Sequence, residues 1–116
     1  MTILNILLIL IQVESSGDNS ARGDDGLAYG CLQMHSAYVQ DASEYAGEDW
    51  VHADAFCRET SAKIFEAYMS RYATEERIGR AVTVQDVVRI HNGGPNGWKK
   101  QSTEKYWRKV ANELQR

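Results

Sequence analysis

"ILNILLILIQVESSG" (residues 3–17) is the stretch on which the reading of this chain turns. Between Ile3 and Val13 only Asn5 and Gln12 interrupt an apolar run, which ends abruptly in a carboxylate, Glu14. Thr2 supplies a capping hydroxyl, so a helix is expected from residue 3 to residue 14. Apolar on nearly every face, it should be buried on most sides. Ser15, Ser16 and Gly17 read as its end, with Gly17 suited to a left-handed cap. No Lys or Arg precedes the run and no small-x-small site follows it, which argues against a signal peptide. It is also shorter than the roughly 20 residues that span a bilayer. A core helix is therefore expected, with Glu14 at its C-terminal end. Desolvation disfavours the charged form of a carboxyl there, and so does the helix dipole. A carboxyl that keeps its proton is what general acid catalysis needs. The plainer alternative is a solvated Glu at a frayed helix end.

Working outward, residues 17–30 hold four glycines and the acidic pair Asp24 and Asp25. This is turn chemistry, a small hairpin or irregular loop. A carboxylate in such polar surroundings stays ionised, and "DDG" alone is also an ordinary turn. One protonated and one ionised carboxyl facing each other is the arrangement for glycosidic bond cleavage. Residues 31–44 read as a second helix, with Leu32, Met34 and Val39 inward and a break at Gly47. Residues 50–72 carry the longest helical pattern, through Cys57, Ile64, Phe65, Tyr68, Met69 and Tyr72. The chain turns near Gly79. Thr83 caps a short helix through Ile90, with Asp86 in its first turn. "HNGGPNG" (91–97) is expected to be loop, and Ser102 or Thr103 starts a last helix to about Leu114. The expected fold is mainly α with a minor β element: about five helices around a core helix, and a hairpin or irregular loop near residues 17–30.

The chain has 116 residues, one domain's worth, expected as a single unit over residues 1–116. Its formal net charge of −3 argues against a nucleic-acid partner. The C-terminal stretch nevertheless gathers Lys99, Lys100, Lys105, Arg108, Lys109 and Arg116 around Trp98, Tyr106 and Trp107. That is either a solvated helix face or a wall that meets an anionic or sugar-rich polymer. Cys31 and Cys57 have no zinc-type spacing and are expected as two free, buried thiols. His35, His52 and His91 are scattered, no Ser-His-Asp or Cys-His set is spaced convincingly, and no phosphate-binding glycine motif occurs. No metal or organic cofactor is expected. "RIHNGGPNGW" (89–98) offers His91 and Asn92 to sugar hydroxyls and the Trp98 face to sugar C–H groups.

Taken together, these motifs resemble the invertebrate-type (destabilase-like) lysozymes. "VESSG" resembles that family's E-S-G-G segment, "GDDGLAYGCLQM" (23–34) its aspartate loop and the helix start that follows it. "EAYMSRYA" (66–73) is similar to its Y-M-x-R-Y helix, and "RIHNGGPNGWKKQSTEKYWRKV" (89–110) to its H-N-G-G-P-N-G…T…Y-W signature. A wider likeness to goose-type lysozymes and lytic transglycosylases is visible in the same outline. The resemblance implies a lysozyme-like α+β fold and a muramidase acting on peptidoglycan or chito-oligosaccharides, without nucleic-acid or membrane partners and as a monomer. It implies Glu14 as general acid/base and Asp24, which aligns better than Asp25, as nucleophile or stabiliser. Substrate contacts are implied for Asp25, Tyr29, Gln33, His91, Asn92, Gly93, Trp98 and Tyr106. It also implies action on the bacterial cell wall; the route there stays open between phage-type release, a non-standard export route and a leader already trimmed away. Two rivals stay open: a lytic transglycosylase using Glu14 alone, and a non-catalytic glycan-binding module. The chain departs from the family in its cysteines, since the family is rich in disulfides and has Cys where Trp98 stands here. The family's isopeptidase activity is not carried over.

Overall fold

The computed structural model describes residues 2–116. Six α-helices, three short 3-10 turns and one two-stranded sheet follow in chain order. The helices are α1 (Ile3–Ser15), α2 (Ser36–Ala46), α3 (Arg58–Tyr72), α4 (Glu75–Ile78), α5 (Val84–Gly93) and α6 (Glu104–Leu114). Strands β1 (Arg22–Gly23) and β2 (Ala28–Tyr29) pair antiparallel, with Arg22 opposite Tyr29. The mainly α fold with a small hairpin expected from the sequence is the one observed.

The core lies between α3 and the helices around it. Ile64, Phe65, Tyr68 and Met69 of α3 meet Val39 and Ala42 of α2, Val88 and Ile90 of α5, and Leu10 of α1 in one apolar cluster. Helix α1 is less buried than its composition predicts. Ile6, Leu7, Leu10 and Ile11 face inward, whereas Leu4 is 62% and Leu8 54% exposed. Its N-terminus is capped as expected, the Thr2 hydroxyl accepting from the Asn5 N–H at 3.2 Å. At the other end Ser16, not only Gly17, takes the left-handed conformation, and Gly17 N–H reaches back to the Ile11 carbonyl.

Three other expectations change. Residues 31–34 are not helix: Tyr29 and Met34 exchange backbone hydrogen bonds around a tight turn, and α2 begins only at Ser36. Gly30 and Gln33 have φ of +84° and +51° in that turn, which no right-handed helix allows. The long 50–72 pattern is two elements, a 3-10 turn (His52–Phe56) and α3, joined at Cys57. Cys57 is exposed there, so only Cys31 is a buried thiol, and both are free. Conversely, α5 runs on through His91, Asn92 and Gly93. Gly93 permits this by close packing, since a Cβ on it would lie 2.4 Å from the Thr103 methyl. The Thr83–Asp86 capping box forms as expected. Burial alone would raise the Asp86 pKa, but hydrogen bonds from Arg80 and Thr83 outweigh it and hold the carboxyl below its usual value. Among the described residues no helix is long and apolar enough to cross a membrane.

Candidate active site

Glu14 sits in the last turn of α1, and that turn is pinned. The Ser15 hydroxyl bonds the Ile11 carbonyl at 3.1 Å and the Cys31 carbonyl at 2.9 Å. The latter ties α1 to the segment after the hairpin. Beyond the helix, Arg58 bonds the Gly17 carbonyl and the Asn19 side chain, fixing the exit path of the chain. The Glu14 side chain is only 18% exposed and opens into a cleft of about 500 Å³.

His91 backs this carboxyl. Its Nε2 lies 3.1 Å from Glu14 Oε2 and 3.1 Å from the Leu32 carbonyl oxygen. A carbonyl oxygen can only accept, so Nε2 carries a hydrogen and donates. Nδ1 is 2.9 Å from the Tyr38 hydroxyl. Burial drives the Tyr38 pKa well above the usual phenol value. Tyr38 therefore keeps its proton, which is available for donation to Nδ1. The Tyr38 ring is held in turn by stacking on Tyr68, with centroids 3.8 Å apart. The chain Tyr38–His91–Glu14 thus has one direction of donation, and it ends on Oε2. Oε1 is the oxygen left to hold a proton toward a ligand. Tyr106 completes this side of the cleft. Its hydroxyl is buried and has no hydrogen-bond partner among the described residues. Burial first, and then the neighbouring Glu14 carboxyl, push its pKa up.

The opposite rim is the hairpin. Asp24 and Asp25 have φ of +49° and +57°, and the Gly26 N–H bonds the Gly23 carbonyl at 3.0 Å. This is a type I′ turn, in which short polar residues are tolerated at positive φ. Turn chemistry and a cleft carboxylate are therefore the same feature. Asp24 lines the cleft with Glu14, whereas Asp25 does not. Asp24 Oδ2 lies 2.8 Å from Nε2 of His35, the residue preceding α2, which ties the hairpin tip to that helix. Gln33 braces the hairpin from beneath, its Nε2 donating to the Ala21 and Gly30 carbonyls. Gly23 leaves room for it, since a Cβ there would lie 2.2 Å from Gln33 Oε1.

The structure brings Glu14, Asp24, Gln33, His91, Asn92 and Tyr106 to one cleft. It places four other candidates elsewhere. Asp25 and Gly93 do not line the cleft. Tyr29 stacks on His52 at 3.5 Å, with Phe56 on its other flank at 4.5 Å. Trp98 packs against the core, with Lys99 and Arg80 near its ring. Tyr38, His35, Asp41 and Pro95 also line the cleft and escaped the sequence reading. Nothing in the sequence joins Tyr38 or His35 to a partner 53 or 11 positions away. Among the described residues no group of three His, Cys, Asp or Glu side chains could hold a metal ion.

A half-buried Glu at a helix end and an Asp on a hairpin line one open cleft on a lysozyme-like fold. The sequence pattern of the Destabilase family matches residues 5–113, and the chain belongs to that family. It is 37% identical over 106 residues to an invertebrate-type lysozyme of Ruditapes philippinarum, covering 87% of this chain and 74% of that protein. To Lysozyme 1 of Crassostrea virginica it is 38% identical over 81 residues, 70% of this chain but only 42% of the oyster protein. The chain thus spans less than half of that relative. Among solved structures, a chain from Aeromonas hydrophila PliI in complex with Meretrix lusoria lysozyme superposes with a TM-score of 0.77 at 30% identity, over 92% of this chain and 86% of that one. Tapes japonica lysozyme gives 0.74 at 33% identity, over 90% and 85%.

Proposed function

We propose that this protein is a muramidase that hydrolyses the β-1,4 bond between N-acetylmuramic acid and N-acetylglucosamine in peptidoglycan. The observation that carries this reading is the His91 N–H on Glu14 Oε2, inside a cleft that also holds Asp24. With Oε2 occupied by a donor, the acidic proton resides on Oε1. Glu14 transfers that proton to the glycosidic oxygen as the bond breaks. Asp24, with Oδ2 engaged by His35, presents Oδ1 to the anomeric carbon and bonds to it or stabilises its positive charge. Water then attacks the same carbon and displaces Asp24, while Glu14, now ionised, takes the water's proton and is reset. Two displacements on one carbon retain its configuration. Asn92 supplies a polar side chain along the same wall for sugar hydroxyls.

Two measurements test this. Soluble murein strands treated with the protein should yield new reducing ends in the β configuration. Anhydro ends would instead assign a transglycosylase, in which the muramyl 6-hydroxyl attacks. Asp24→Asn should lower kcat by about 10²–10³-fold, the usual effect of removing a group that stabilises transition-state charge. Asp25→Asn should leave kcat within about twofold of wild type, as expected of an exposed residue outside the cleft. Full activity of Asp24→Asn would remove the second carboxylate from the mechanism.

Tyr38 is expected to act through His91. In Tyr38→Phe, Nδ1 loses its partner and the ring loses one of the contacts that aim its Nε2–H at Glu14 Oε2. The expected outcome is a kcat reduced by about 10–100-fold, as for other partners that orient a reacting group, with KM little changed. A rise in KM at constant kcat would instead give Tyr38 a role in binding alone.

A further inference from the structure

A second groove, of about 590 Å³, opens beside the catalytic cleft and shares Asn92, Tyr106 and Lys109 with it. The two are one continuous surface with Tyr106 as the divide. Lys105, Arg108 and Lys109 project into the groove from α6, and Ser102 and Asn112 complete it with neutral hydrogen-bonding groups. Positions 105, 108–109 and 112 fall on one helical face. No Asp or Glu lines the groove. None of its three cations has a carboxylate within ion-pair distance among the described residues. This concentration of unpaired positive charge stands on a chain whose net charge is −3. It is therefore local, and it lies where the cleft ends.

We propose that this groove is an anion subsite that takes the carboxylates of the peptide stems borne by a glycan strand lying in the cleft. The proposal rests on the muramidase reading for the strand, and on the groove's own charge for the stem. Continuity favours stems over a separate polymer, because a stem is covalently attached to the sugar that Glu14 and Asp24 flank. The subsite turns a sugar-binding cleft into one that discriminates peptide-bearing murein from neutral chitin.

The experiment compares three soluble substrates at low ionic strength: murein strands with stems, the same strands stripped by an amidase, and chitin hexamers. Wild type should show a KM for stem-bearing strands about tenfold below that for stripped strands, the sum of a few exposed charge contacts. The double variant Lys105→Ser/Arg108→Ser should lose that ratio, while its kcat/KM on stripped strands and on chitin stays within about twofold of wild type. A ratio that survives the double substitution, or equal losses on all three substrates, overturns the subsite. Binding of stem-bearing and stripped fragments to Glu14→Gln gives the same ratio without turnover. If wild type cleaves none of the substrates, the muramidase reading fails while this binding ratio still decides the groove. A poly(glycerol phosphate) competitor separates the two sources of anion. It should compete no better than simple salt of equal ionic strength, and stronger competition would reassign the groove to phosphate.

Discussion

Glu14→Gln is expected to lower kcat on murein and on chitin oligomers by about 10³-fold or more, within the range attributed to positioned acid–base groups. The substitution is close to isosteric. The His91 N–H can donate to the Gln carbonyl as it does to Oε2 now, 3.1 Å away. The Ser15 clamp on the Cys31 carbonyl is untouched. The amide has no proton to give a leaving oxygen and cannot take one from water, so both halves of the reaction are lost. Affinity for uncleaved fragments and the thermal midpoint should stay near wild type, because the side chain is partly open to the cleft and keeps its shape. Turbidity loss of bacterial walls, with oligosaccharide product mass as the check, reads the effect. A Gln variant with more than about a tenth of wild-type kcat would show that Glu14 is not the proton carrier.

Gly30→Ala carries the largest expected cost in stability. Gly30 has φ +84°, and a Cβ on it would sit 1.8 Å from the Ala55 carbonyl oxygen. The obstacle is backbone, so no side-chain rotation relieves it. Left-handed strain costs about 1–2 kcal/mol and overpacking about 1–3 kcal/mol. The sum, on the order of 3 kcal/mol, is a large share of the roughly 5–15 kcal/mol that holds a domain folded. A fall in Tm on the order of 10 °C is expected. Gly26→Ala is the control, with a similar φ of +87° and open space around it, so it should cost only the strain. Equal shifts in the two variants would refute the packing account. Activity should fall further than stability in Gly30→Ala. The Gly30 carbonyl holds Gln33, and Gln33 braces the hairpin that carries Asp24.

The position of Glu14 was legible because a carboxylate that closes an apolar run marks the place where a helix with one buried face comes to the surface. Thr83 and Asp86 were legible because a capping box is a local pattern, complete within one turn. The errors share one cause, which is that tertiary contact overrode local preference. Residues 91–93 looked like loop, yet α5 runs through them and stops only at Gly94, because Gly93 fits against Thr103. Residues 31–34 looked helical, yet the left-handed Gln33 is held by side-chain bonds to Ala21 and Gly30, the first of them 12 positions away. Trp98 looked like a sugar platform because composition does not say which way a ring faces. Tyr38 and His35 were missed for the complementary reason: each matters through one partner, and periodicity carries no information about pairs.

The side chains that secure the loops have a consequence for how this fold is assembled. Arg58 holds the chain after α1. Arg77 bonds the Tyr72 and Pro95 carbonyls and the Asn96 side chain. Arg89 and Thr103 do the same for the segment between α5 and α6. This chain closes these loops with guanidinium and hydroxyl groups, and Cys31 and Cys57 are free thiols. Such closures form as soon as packing brings donor to carbonyl. They need no oxidant and no sorting among alternative cysteine pairings, so closing the loops around the cleft does not itself depend on disulfide formation.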